Sequence, residues 1–304
     1  MQIASDLVTK AAAAAIDGHQ GLAGTPGSPI GNPLPERHDP GVDGPKIRFS
    51  VDWSIFRELD ARKGLRIADA YQSMPHDPDN RFVAASYARL ATEIMQQFRY
   101  ATDSLEINIE PYWGDGEPYD NSREMRADVL RERHLFFLPT GQNFGSEDGR
   151  GAPYRDHPML APSAITRAGY RLLINDAFRA IHDIFGHVLT GSNFSPRGEE
   201  RAWFLHSQMF SALARPALTT ETRGQSCWVN FGPHMRNGQG RLRKKGEPGW
   251  LAPADRPFAR QKAGLLPSSM SGVVLSLDAA RGPVAAELLP GWSTESCLTE
   301  ELRD

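Results

Sequence analysis

The chain has 304 residues, 40% hydrophobic and 23% charged, with a net charge of −3; this suits a globular protein of one large domain or two modest ones. Acidic and basic residues are interspersed, and the one basic run, Arg241-Leu242-Arg243-Lys244-Lys245, lies beside Gly246 and Pro248 as a solvated loop would, so nucleic-acid binding is not expected. No apolar stretch nears the roughly 20 residues needed to cross a bilayer, and Cys227 and Cys297 form no paired-cysteine motif, which argues against a zinc ribbon or disulfide framework and points to the cytoplasm.

Residues 1–16 read as a short helix, since they carry Asp6, Lys10 and an alanine run but no signal-peptide core. Residues 17–45 are dense in Gly and Pro, which sustains neither helix nor central strand, so they form an extended arm. The catalytic domain is placed at 46–272 and a C-terminal segment at 273–304. Within the domain, Ile47 to Val51 alternates as a strand, and Phe82, Ala85, Tyr87, Leu90, Ile94, Met95 and Phe98 mark an amphipathic helix. Leu105 to Ile109 predicts a strand, Ser122 opens a helix, and 134–139 is a short buried run. A Gly-rich loop covers 141–155, and helices are expected from Ser163 to about Glu221, followed by a strand at 227–231. The expected fold class is α+β, predominantly helical.

The chemistry concentrates in Ile181-His182-Asp183-Ile184-Phe185-Gly186-His187. Asn175 or Asp176 reads as the N-cap of an apolar-periodic helix carrying both histidines. Five residues of α-helix turn through about 140°, wider than the usual ligand pairing. The two imidazoles meet on one ion only if the rings lean inward or the helix loosens at Gly186. Asp183 is a candidate hydrogen-bond acceptor or acid/base group beside them.

A facial site needs a third ligand, usually a carboxylate. Glu199 and Glu200 fall in the first turn of the next helix, where the macrodipole alone favours acids, and His206 points with that helix's apolar stripe. Glu221, between an apolar helix and an apolar strand, either pairs with Arg223 or another cation or binds the metal, and the metal reading is preferred. Arg223 is then the residue to hold a substrate carboxylate.

The arrangement resembles the catalytic domain of the pterin-dependent aromatic amino acid hydroxylases. Their His-Glu-Leu-Leu-Gly-His motif is matched by His182-Asp183-Ile184-Phe185-Gly186-His187, with Glu221 34 residues beyond His187, and Lys262-Ala263-Gly264-Leu265-Leu266-Pro267-Ser268-Ser269 is similar to a second segment of that family. The resemblance implies the hydroxylase fold and an Fe(II) ion held by His182, His187 and Glu221, with Ser268 and Ser269 near a tetrahydropterin. Residues Asp176 to Trp228 are also similar to a bacterial and phage family, which implies no activity.

The resulting expectation is a non-haem iron monooxygenase that uses O₂ on a small amino-acid-like or aromatic molecule; a homodimer is compatible with the sequence. Two rivals remain open: a metal-dependent hydrolase or two-metal carboxylate enzyme drawing on Glu199, Glu200 and His206, and a non-enzymatic phage-associated structural protein.

Overall fold

The computed structural model describes Phe56 and residues 58–143, 154–278 and 282–292, together with the backbone of flanking strands. The expected helix at 1–16, most of the Gly/Pro arm, the centre of the Gly-rich loop and Cys297 lie outside the described residues.

In chain order the elements begin with strands β1 (Ala23–Gly24) and β2 (Lys46–Val51), then helices α1 (Ala61–Ser73) and α2 (Arg81–Arg99). Next come β3 (Asn108–Pro111), α3 (Ser122–Ala127), β4 (His134–Phe137) and α4 (Thr140–Asn143). The site region contains β5 (Pro162–Arg167), β6 (Tyr170–Leu173), α5 (Ile174–His182), α6 (Pro196–Ser207), α7 (Arg215–Thr219) and α8 (Gln225–Phe231). Short α9 (Ser268–Ser271) leads into β7 (Val273–Asp278) and β8 (Gly282–Leu288), and β9 (Leu298–Arg303) returns antiparallel to β2. The class is α+β, with 50% helix against 14% strand, so helix dominates the packing. No described helix is long and apolar enough to cross a membrane.

The principal helix obeys its sequence closely. Asn80 caps α2, its Oδ1 accepting from Phe82 N at 3.0 Å, and Val83, Tyr87, Leu90, Ile94 and Phe98 bury one stripe. That stripe shares a core with Ala177, Ile181 and Phe185, so the segment carrying His182 and His187 stands on the main hydrophobic cluster of the described residues.

Two expectations are corrected. Residues 162–173 form a hairpin rather than a helix; Ala168 (φ 45°) and Gly169 (φ 79°) supply the two left-handed residues of a tight hairpin turn. Residues 227–231 are helical rather than extended, because Gly224 keeps right-handed angles (φ −62°) and does not stop the helix. Its glycine serves packing instead: a Cβ there would lie 2.8 Å from the Tyr71 ring.

Among the described residues four helices lengthen into π-turns, at Tyr100–Ser104, Asp128–Glu132, Asp183–Val188 and Thr220–Gly224. Such turns are rare and often found at functional sites. The third of them builds the site.

Candidate metal centre

The five-residue spacing of His182 and His187 is resolved by backbone geometry. Helix α5 starts from Leu173, two or three residues before the expected cap. There the buried Asp176 accepts from Leu173 N at 2.8 Å, a side chain reaching back to the N-cap amide. Past His182 the chain widens into the Asp183–Val188 π-turn. Hydrogen bonds from i to i+5 bring residues five apart together, and the two imidazoles meet edge to face with centroids 5.2 Å apart. A carbonyl loosened by the widening finds a partner in its own chain: Thr190 Oγ1 donates to Gly186 O at 2.6 Å.

Glu199 completes the cluster. Ser195 caps α6 with its Oγ accepting from Gly198 N, and Pro196 pre-sets the first turn. The helix then crosses the π-turn at close range, where a Cβ on Gly186 would lie 3.1 Å from Ala202 Cβ and 3.2 Å from the His182 ring. Glu199, three residues before Ala202, is thereby set over both histidines. Its carboxylate lies 3.5 Å from His187 Nε2 and 3.9 Å from His182 Nε2, and the three ligand atoms fall within 4.8 Å of one another. Two bonds of about 2.1 Å span at most about 4.2 Å between ligand atoms, so binding an ion closes the set slightly.

The hydrogen bonds behind the rings select the tautomer that a metal needs. Gln97 Nε2 donates to Met209 O at 3.2 Å, which turns Gln97 Oε1 toward His206 Nε2 at 2.8 Å. An amide oxygen only accepts, so His206 carries its proton on Nε2. Burial, then His182 and His187, hold His206 well below its ordinary pKa, so it is neutral and Nδ1 is bare. Nδ1 of His182, 3.1 Å away, must therefore be the donor, leaving the His182 Nε2 lone pair toward Glu199. That Nε2 is buried and lacks a hydrogen-bond partner. His187 repeats the pattern more simply, Nδ1 donating to Ser192 O at 3.2 Å. Metal-bound histidines are oriented in the same way, and the residues present fit a divalent ion.

The charges agree with that fit. Burial works against the charged form of His187, yet the Glu199 carboxylate outweighs it and raises the ring above its ordinary pKa. Burial likewise opposes the Glu199 carboxylate, but His187 and His182 hold it well below the usual carboxylate range. Asp183, half-buried beside them, is raised by burial against the pull of His187 and His182.

The cluster opens on a cavity of about 480 Å³, within the range of small-molecule sites. Phe178 stands 6.0 Å from the His182 ring and Phe194 5.0 Å from the His187 ring, centroid to centroid. Phe194 and Phe258 are both cavity-lining and exposed, which places them at its mouth.

Other expected site residues are placed differently. Glu221 lines the same cavity but not the cluster: its Oε1 accepts from Tyr87 at 2.5 Å and its Oε2 from Gln225 at 2.7 Å. The third position goes to Glu199 because α6, not the Thr220–Gly224 turn, crosses the histidines. Arg223 is unavailable to a substrate. It makes a bidentate pair with Glu200 (2.7 and 2.5 Å), donates to Met270 O and lies 4.1 Å over the Trp203 ring. Ser268 and Ser269 are exposed on α9 and do not line this cavity. Glu200 is taken by Arg223 and Lys63, and His206 supports His182 rather than joining the group of three. The signals for Glu199 were present in Ser195-Pro196, which fixes the phase of α6 and puts Glu199, Ala202 and His206 on one face.

Comparison with family models, curated proteins and solved structures finds no match for this chain.

Proposed function

We propose that the protein is a mononuclear non-haem iron enzyme that uses O₂ to oxidise a small organic molecule. The observation that carries this reading is the pair of histidine Nε2 atoms with the Glu199 carboxylate, set on the rim of a phenylalanine-lined cavity. Two histidines and one carboxylate, with other positions open, are the ligand set of iron(II) oxygenases. Bound there, the ion would supply the site at which oxygen is activated beside the substrate. The chain's own contributions are threefold. His206 and Ser192 orient the ligand rings, Phe178 and Phe194 keep the surroundings apolar, and Asp183 stands ready to exchange a proton within the cavity.

Asp183 also favours a second reading, a zinc hydrolase, in which a carboxyl beside a two-histidine, one-glutamate site handles the proton of a metal-bound water. Metal analysis separates the two. The purified chain is expected to carry about one iron, to consume O₂ when reduced, and to lose iron in His182→Ala and His187→Ala. Stoichiometric zinc with no oxygen uptake selects the hydrolase; absence of any stoichiometric metal, or full retention in both variants, rejects the centre itself.

A further inference from the structure

Three glutamates approach the centre of this molecule, and two have an evident counter-charge. Glu200 is held by Arg223 and Lys63. Glu199 faces two histidines and the proposed ion. Glu221 is buried, with 6% of its surface exposed, and lines the cavity. No lysine or arginine among the described residues lies within ion-pair distance of it. Its neighbour His157 is 3.3 Å away through Nε2 but makes no hydrogen bond to it, and that ring is the neutral tautomer, because its Nδ1 accepts from Met159 N. Two neutral donors therefore serve it, Tyr87 and Gln225.

A carboxylate has about four acceptor sites. Oε1 is engaged by Tyr87 and Oε2 by Gln225, which leaves acceptor capacity open on both oxygens. Buried charges are ordinarily paired, since isolating one from water is costly. The rest of the cavity does not neutralise it. Four carboxylates line the cavity (Glu117, Asp183, Glu199 and Glu221) against a single guanidinium, Arg179. That guanidinium is itself under the attraction of Asp183, Glu117 and Asp176. The missing partner is thus a cation, and the open side is the cavity.

We infer that the cavity's ligand is an organic ammonium ion, whose charged nitrogen docks on Glu221 while its apolar body lies among Phe178, Phe194 and Phe258. The inference rests on the functional reading above for the identity of the cavity as a substrate site, but the ammonium contact does not require the metal. It replaces the carboxylate-holding role expected of Arg223 with recognition of the opposite charge.

Three probes of one shape test it on the full chain, as purified and after metal removal: 2-phenylethylamine, 3-phenylpropionate and 2-phenylethanol, followed by titration calorimetry or ligand-observed NMR. The amine is expected to bind about tenfold or more tightly than either of the others, as a charge-assisted contact should. Glu221→Gln is expected to bring the amine to the level of the alcohol, and Glu221→Asp to keep the preference. Equal or tighter binding of the propionate or the alcohol overturns the inference, as does an undiminished amine preference in Glu221→Gln. Should that variant fail to fold by circular dichroism, the wild-type ranking decides alone. Loss of the metal reading shows separately, as a chain that takes up no metal yet prefers the amine.

Discussion

Glu199 and Glu200 are neighbours in sequence, and their surroundings differ completely. One residue of α-helix turns the side chain by about 100°, so the two carboxylates leave α6 on different faces. Glu200 enters a closed network: Arg223 grips it with two nitrogens, Lys63 adds a third contact at 2.9 Å, and Trp203 covers the guanidinium. In the same closed region, burial and then the Glu200 charge push the Cys227 thiol up to about 12, which leaves it no nucleophile. Glu199 instead faces the cavity, with two histidine nitrogens at 3.5 and 3.9 Å, too far for good hydrogen bonds. Every polar atom that meets Glu200 is satisfied, whereas His182 Nε2 beside Glu199 is not. A satisfied cluster holds a fold together; an unsatisfied one in an ordered frame is available to a ligand.

This contrast can be broken most decisively at Glu199. Glu199→Gln should abolish stoichiometric metal binding, measured as metal per chain, while Glu221→Ala should retain it; metal loss only in the Glu221 variant would reverse the assignment. The mirror experiment is Glu200→Ala, which leaves a buried guanidinium unpaired and should cost about 3–5 kcal/mol of stability in chemical denaturation. A loss below about 1 kcal/mol would show that the network is not the closed cluster described.

Smaller effects sharpen the comparison. His206→Leu removes the acceptor that fixes the His182 tautomer and should weaken metal binding about 10–100-fold, with folding retained. Equal weakening by Glu200→Ala would make the effect structural instead. Acidity gives a further handle on the metal-free protein. The Glu199 carboxyl is depressed from its ordinary 4.5, so its contribution is present above about that pH and is lost as pH falls through the lower folded value. His187 is raised from 6.5, so its contribution is full below that and disappears as pH rises through the higher folded value. Metal-free stability should therefore be greatest between those limits, and metal uptake should release a proton near neutrality. A stability profile indifferent to Glu199→Gln across this window would remove the pair from the account.

Much of the secondary structure was readable from local chemistry. Asn80 and the stripe from Val83 to Phe98 announced α2, and Ser195-Pro196 announced α6. The failures were local signals that tertiary contacts override. Gly224 looks like a helix stop, but its missing side chain makes room for Tyr71; the segment from Ser163 looked helical until Ala168-Gly169 is recognised as a hairpin turn. At the site, an acid and a glycine between two histidines drew attention to His182 and His187. Their five-residue spacing fits an α-helix poorly, and that misfit was itself the trace of the π-turn.

By itself, then, the sequence determined the class of the protein, the helices with strong caps and stripes, and the histidine pair, because each is written in residues close along the chain. Only the tertiary structure decided which of three glutamates faces which partner. Glu199, Glu200 and Glu221 are chemically the same residue, and sequence distance from His187 does not rank them. Their roles follow from the crossing of α6 over the π-turn at Gly186 and Ala202, which turns Glu199 toward the histidines and Glu200 toward Arg223. Glu221 is left facing the cavity with neutral donors around it.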